Sequence, residues 1–363
     1  MFKAAKTVDF LILTYYTNDS KQRKRLSSLI RLYSPMYLSR RSVSFSALRT
    51  ERPINFLCRR RAAEWMIVME KFDSLIIGEV AQDTNVDFDG TVVQAVGGAV
   101  YYSGCAAANM GHKIAVLPKA DLSQLDVTAA FHEKAPSISV FPLNSPHSFV
   151  TKNVYHTADR ERRTSTVDSL IAPYTTDEVP VDQIDAAIWH LAGLAGGDIP
   201  NEMIPFAAKH AMVAIDVQTM LRWVENGGMV YHDWKEKKEL LPYIRFLKTD
   251  AAEAEILTGL TDRAEAAKVL YGWGAKEILI THNTEVLVYD GHEIYTCPIK
   301  ARNLSGRTGR GDTTFAGYIN ERLTKDIPTA LQTATALVSL KMETPGPFQG
   351  TRQDVLDYIR EFY

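Results

Sequence analysis

From Ser74 onward, short apolar runs alternate with helical segments, and no other property of the chain restricts its fold as strongly. Residues 74–80, 113–117, 186–191, 212–216, 242–248 and 277–281 read as buried strands, while 99–110, 201–210 and 251–257 read as helices. Regular alternation of this kind implies an α/β fold: a doubly wound, mostly parallel sheet flanked by helices, with ligands gathering at the carboxyl ends of the strands. Two Asp-Gly pairs, Asp89-Gly90 and Asp290-Gly291, signal hairpins. The first of these, with a mainly β stretch at 148–165, predicts a small β-strand lid over the sheet, formed from about 84–96 and 148–165.

One turn-to-helix junction carries chemistry. Gly309-Arg310-Gly311-Asp312 runs into an apolar stripe at Phe315, Ile319 and Leu323, which places a helix start near Asp312. The glycines let the backbone turn without a Cβ penalty, and the first amides of the helix point outward with the positive end of its dipole behind them. That arrangement binds anions. A carboxylate there would repel a phosphate, unless it takes a proton from a hydroxyl while the amides hold the charge growing on a transferred phosphoryl group. A helix-capping aspartate is the competing account of the same four residues. A P-loop is excluded because Asp312 follows Gly311 where lysine is required, and a dinucleotide fingerprint because Thr314 occupies its third glycine position.

Charge separates the chain into two parts. Through Glu64 there are fourteen Lys and Arg against four Asp and Glu, a net of +10, so the remainder carries −12 within the overall −2. The acidic body argues against nucleic-acid binding by residues 66–363. Residues 1–65 read as a basic extension lacking a packed core. They have three readings: an organellar transit peptide, a basic arm, or upstream sequence ahead of a start at Met66 or Met69, the last preferred because a domain begins cleanly after those methionines. No apolar run is long enough to span a membrane, and the three scattered cysteines, Cys58, Cys105 and Cys297, suit a reducing compartment. The expected location is cytoplasmic, or organellar if 1–65 is a transit peptide.

Three further features accompany the junction. Asp250 ends a strand and Glu253 lies in the first turn of the next helix, a spacing that can hold Mg²⁺ through waters or merely favour the helix N-terminus. Residues 278–288, with Thr281 and Asn283, read as a strand, polar turn and strand just before the junction, and Gly97-Gly98 offers bare backbone to a substrate hydroxyl. Taken in this order, the residues resemble the ribokinase-like (PfkB) family of carbohydrate kinases, over 74 to about 350. Gly309-Arg310-Gly311-Asp312 with Ala316-Gly317 resembles the family's glycine-alanine-glycine-aspartate helix start. Asp250, Glu253, Leu257 and Gly259 match its asparagine–glutamate motif with the following leucine and glycine, and Asp83 its early sugar-binding aspartate.

The resemblance implies phosphorylation of a sugar, polyol or nucleoside hydroxyl by ATP with Mg²⁺. Asp312 would be the base, the amides of Gly309, Arg310 and Gly311 the anion hole, and Glu253 the metal-organising carboxylate. Asp250, Thr281, Asn283 and Gly346 would face the nucleotide, and Asp83, Gly97, Gly98, Tyr102 and Arg163 the acceptor. It also implies closure of the lid over the acceptor and a homodimer formed through it. Arg310 stands where the family has a small residue, Asn283 and Glu285 where many members have glycine, and Asp250 where most have asparagine, which leaves the preferred donor open. Tyr102, at the position of a sugar-binding asparagine, points away from ribose and fructose and toward inositol- or nucleoside-like acceptors. A catalytically silent sugar- or nucleotide-binding member is the alternative.

Overall fold

The computed structural model describes residues 70–157 and 162–363; residues 1–69, which include the basic extension, and residues 158–161 lie outside the described residues. Its frame is a ten-stranded sheet. Strands β1 (Glu70–Glu79), β4 (Ile114–Ala120), β9 (Ile184–Leu191), β10 (Met212–Asp216), β13 (Ile244–Asp250) and β14 (Glu277–Thr281) form its parallel centre. The two-residue strands β5 (Ser139–Val140) and β6 (Leu143–Asn144) extend one edge along β4. The antiparallel strands β15 (Glu285–Tyr289) and β16 (Ile294–Pro298) close the other, joined at the expected Asp290-Gly291 turn.

The central strands are apolar on both faces because helices cover both. Leu75, Ile76 and Ile77 of β1 are fully enclosed, and alternate residues feed separate clusters: Leu75 and Ile77 join Trp189 and Leu247, while Ile76 joins Val100 and Val116. Each such side chain contributes about 1.5–3 kcal/mol of burial. The helix Ala99–Asn109 is buried on nearly every side, which explains its run of alanines and small residues. It begins at Gly98, whose φ of 104° and contact with the Glu79 carbonyl (2.4 Å from any Cβ placed there) admit only glycine.

A second sheet of six strands stands apart from the first, in the order β11–β12–β8–β7–β2–β3, with β2 (Ala81–Val86), β3 (Val92–Gly97), β7 (Phe149–Tyr155) and β8 (Arg163–Ser169). Its hairpin at Asp89-Gly90 spans more of the chain than 84–96. Two strands were not expected from the pattern, β11 (Arg222–Glu225) and β12 (Gly228–Tyr231). Asn226 and Gly227, both at positive φ, turn one into the other. The helical expectation for 201–210 shrinks to Met203–Ala207, flanked by turns. Two C-terminal helices, Ile327–Lys341 and Arg352–Phe362, complete the unit that spans 67–363. Among the described residues no helix is long and apolar enough to cross a membrane.

Candidate active site

Parallel register brings the carboxyl ends of the strands level, and polar residues cluster there. Asp216 ends β10 beside Lys248 of β13, and Asp250 at the end of β13 pairs in register with Thr281 of β14. A cavity of about 370 Å³ opens above these ends, between the two sheets. Asp312, Gly309, Arg310, Gly311, Asp250, Glu253, Thr281, Asp83, Gly98 and Tyr102 all line it. Gly97 lies just behind Asp83, and Asn283 reaches the wall through Arg310, whose Nη1 donates to Asn283 Oδ1 at 2.9 Å. Gly346 lies in a turn outside the cavity lining. Arg163 is placed in β8 opposite Tyr155, but its side chain is outside the described residues.

The helix Arg310–Glu321 starts at Gly309, which takes a left-handed conformation with φ of 76°. The Tyr102 ring packs on this glycine so closely that a Cβ would lie 2.1 Å from its Cδ1. Of the three amides expected in the anion hole, that of Arg310 donates to the Arg307 carbonyl at 3.2 Å. Among the described residues the amides of Gly309, Gly311 and Asp312 have no protein acceptor, which leaves them available to an anion. Ser103 Oγ donates to the Asp312 carbonyl at 3.2 Å and anchors the turn to the helix Ala99–Asn109.

The Asp312 carboxyl faces the cavity from the first turn of its helix. Burial and the neighbouring Asp216 charge push its pKa up to about 6, against the opposing pull of Lys248, Arg222 and Lys341. Beneath the turn, Lys248 Nζ donates to Asp216 Oδ2 at 2.8 Å and lies 3.9 Å from Glu253 Oε2. Burial pushes the Lys248 pKa down, but Asp216 and Glu253 outweigh it and hold the pKa above the usual lysine value. Burial raises Glu253 to about 7, with Lys248 opposing and Asp216 and Asp250 adding to the rise.

Asp250 and Glu253 form a reciprocal capping box: the Glu253 amide donates to Asp250 Oδ1 and the Asp250 amide to Glu253 Oε2, both at 2.8 Å. Their spacing therefore serves the helix N-terminus, one of the two readings that the sequence left open. Among the described residues no group of three or more His, Cys, Asp or Glu side chains is placed to hold a metal ion. The carboxylates fit a water-held ion arriving with a phosphate ligand better than a direct protein-ligated one.

The opposite wall comes from the second sheet and is polar. Thr151 Oγ1 donates to Asp83 Oδ1 at 2.5 Å, Ser165 Oγ to Asn153 Oδ1 at 2.6 Å, and Asn153 Nδ2 to Asn85 Oδ1 at 3.2 Å. Three charged contributors escaped the sequence reading: Lys248, Arg222, and Lys341 of the helix Ile327–Lys341. Arg222 lines the cavity and donates to Gln218 Oε1 at 2.6 Å.

A polar wall thus faces the exposed amides of a helix start, with the Asp312 carboxyl between them, an arrangement that fits a phosphotransferase acting on a hydroxyl. Residues 148–352 match the pfkB family carbohydrate kinases, and the chain belongs to that family. A pyrophosphate-dependent kinase in the ribokinase family, solved as a sulfate complex, is 32% identical with a TM-score of 0.71, over 78% of this chain and 99% of that one. A pyrophosphate-dependent kinase of the ribokinase family complexed with a pyrophosphate analog and myo-inositol is 31% identical with a TM-score of 0.70, over 78% and 99%. The cytidine kinase of Thermococcus kodakarensis is 24% identical over 266 residues, 68% of this chain and 87% of its own length. The fold is thus ribokinase-like, and the chain is a kinase of the sugar and nucleoside type.

Proposed function

We propose that this kinase transfers a phosphoryl group from a phosphoanhydride donor to one hydroxyl of a polyol of the inositol class, with Asp312 as general base. The observation that carries the reading is the position of Asp312: its carboxyl, poised near pH 6, shares one helix turn with the Gly309, Gly311 and Asp312 amides. A base must lie within reach of both the acceptor hydroxyl and the group being transferred, and this turn supplies both. Asp83, buttressed by Thr151, and Asn153, buttressed by Ser165, offer the fixed acceptors and donors that a ring of hydroxyls requires.

ATP is the donor implied by the family resemblance, whereas Arg310 favours pyrophosphate. Arg307 and Arg310 line the wall that also carries the nest, and Arg310 crosses to Asn283. Guanidinium groups beside an amide nest suit a donor made of phosphate alone. Relatives described as pyrophosphate-dependent, at 31–32% identity, support the same reading. Mg²⁺ brought in on the donor would offset its negative charge, its waters held by Asp250 and Glu253. Lys248, fixed under Gly311, adds a permanent positive charge beneath the nest. Closure of the second sheet over the acceptor would exclude water, the competing nucleophile.

A matrix of donors and acceptors tests this directly. Pyrophosphate and ATP, each offered with myo-inositol, ribose and cytidine, should give the highest kcat/KM for pyrophosphate with the cyclitol. Tight binding of these ligands with no phosphorylated product would instead indicate a catalytically silent member.

A further inference from the structure

Lys341 is the last residue of the helix Ile327–Lys341 and is 1% exposed. Its Nζ donates to the Gly306 carbonyl at 2.5 Å and to the Thr308 carbonyl, and lies 5.1 Å from the centre of the Tyr102 ring. Among the described residues no carboxylate forms a salt bridge with it. A buried ammonium without a paired carboxylate is disfavoured unless carbonyl oxygens and an aromatic face replace its water, and here both do. The carbonyls belong to the two residues on either side of Arg307, directly before Gly309. The same loop is laced to the helix end elsewhere: the Gly306 amide donates to the Met342 carbonyl at 2.7 Å, and Ser305 Oγ to the Glu343 carbonyl at 2.7 Å.

We infer that Lys341 is the positioning residue of the anion nest, a tethered monovalent cation whose ammonium draws in the Gly306 and Thr308 carbonyls and so aims the Gly309 and Gly311 amides at the donor. Tyr102 links the two halves of the device, since its ring meets the ammonium and also packs on Gly309. Asp312 and Tyr102 are the groups of other elements that face Lys341, and burial lowers its pKa to about 8, with Asp312 opposing. A loop set this way needs a cation of ammonium size at one place, and nothing larger. The inference rests on the nest reading given above, and it adds a residue that never touches the substrate.

Amine rescue separates positioning from simple packing. Lys341→Ala empties the ammonium's place, while Lys341→Met fills it with an uncharged chain of similar length; the melting temperature of each shows that it has folded. Both should lose roughly 10²-fold in kcat, the scale of losing one oriented amide donor. Ammonium or ethylammonium chloride should restore Lys341→Ala at least tenfold and saturably, leaving Lys341→Met unchanged, whereas tetramethylammonium chloride at equal ionic strength should restore neither. If Lys341→Met keeps wild-type kcat, or all three salts act alike on Lys341→Ala, the inference is overturned. Should Lys341→Ala fail to fold, a wild-type kcat in Lys341→Met still overturns it, and a loss of roughly 10²-fold in folded Lys341→Met sustains it. Asp312→Asn run alongside distinguishes the two levels: its inactivity keeps the kinase reading whatever Lys341 does, and its full activity removes the reading beneath.

Discussion

Lys248 Nζ lies 2.8 Å from Asp216 Oδ2 on the neighbouring strand and directly beneath Gly311, where a Cβ would come within 3.1 Å of it. One buried ion pair therefore carries the floor of the nest. Removing the cation leaves the buried Asp216 and Glu253 without it, and breaking a buried pair from one side typically costs about 3–5 kcal/mol. Lys248→Met should lower the melting temperature by roughly 6–20 °C, taking 2–4 °C per kcal/mol for a domain of this size. Thermal unfolding of the variant checks this; an unchanged midpoint would mean that the pair is not the nest's floor.

The pKa of Asp312 sets two opposite pH effects. As the proposed base it works only when ionised, so kcat/KM should rise tenfold per pH unit up to about 6 and level off above it. Stability runs the other way. A folded-state pKa raised above the unfolded one favours the protonated native form, a contribution that is complete below the unfolded value and lost as pH rises through about 6. Asp312→Asn should accordingly be more stable than wild type at pH 7, by roughly 1–2 kcal/mol after allowing for solvent in the cavity. Paired unfolding curves at pH 5 and pH 7 measure this, and a variant less stable than wild type at pH 7 would contradict it.

The proposed contact of Arg310 with the donor can be tested by truncation. Arg310→Ala removes the guanidinium that reaches Asn283 and should raise KM for pyrophosphate by roughly 10–100-fold, the range of one charge-assisted contact. KM for the cyclitol should stay within about threefold, because charge lost on the donor wall does not touch the acceptor wall. Steady-state kinetics with each substrate varied in turn separate the two, and a larger change for the acceptor would move Arg310 to the other side of the site.

The proposed contact of Asp83 with the acceptor can be tested by substitution. Asp83→Asn keeps the shape of the side chain but turns one carboxylate oxygen into a donor opposite Thr151 Oγ1, and should reduce kcat/KM for the polyol by roughly 10²-fold. Thr151→Val, which removes only the hydroxyl that donates to Asp83 Oδ1, should cost less. Equal losses in the two variants would show that Asp83 acts through Thr151 and not on the substrate.

Local motifs made much of the site legible in the sequence, and long-range pairings hid the rest. Gly309, Gly311 and Asp312 signal a helix start within four residues, and strand alternation alone gave the parallel sheet. Asp250 and Glu253 were equally visible, and of the two readings their spacing allowed, the helix capping box is the one the structure displays. Lys248 was readable only as part of a motif, because its partner Asp216 lies 32 residues away on another strand. Lys341 finds its carbonyls 33 and 35 residues earlier, and its one local signal was a lone lysine closing the apolar run Ala334–Leu340. The hairpin carrying Arg222 did have a signal, Asn226-Gly227 between alternating residues, and that turn chemistry was passed over.

The most direct test of the account is product formation by wild type and Asp312→Asn, each incubated with myo-inositol and pyrophosphate or ATP and followed by phosphorus NMR. Wild type should build a new phosphomonoester signal while the donor signal falls. Asp312→Asn should do so at least about 10²-fold more slowly, the lower bound for losing a general base. Equal rates in the two proteins would contradict Asp312 as the base, and donor loss with only inorganic phosphate released would contradict transfer to an alcohol.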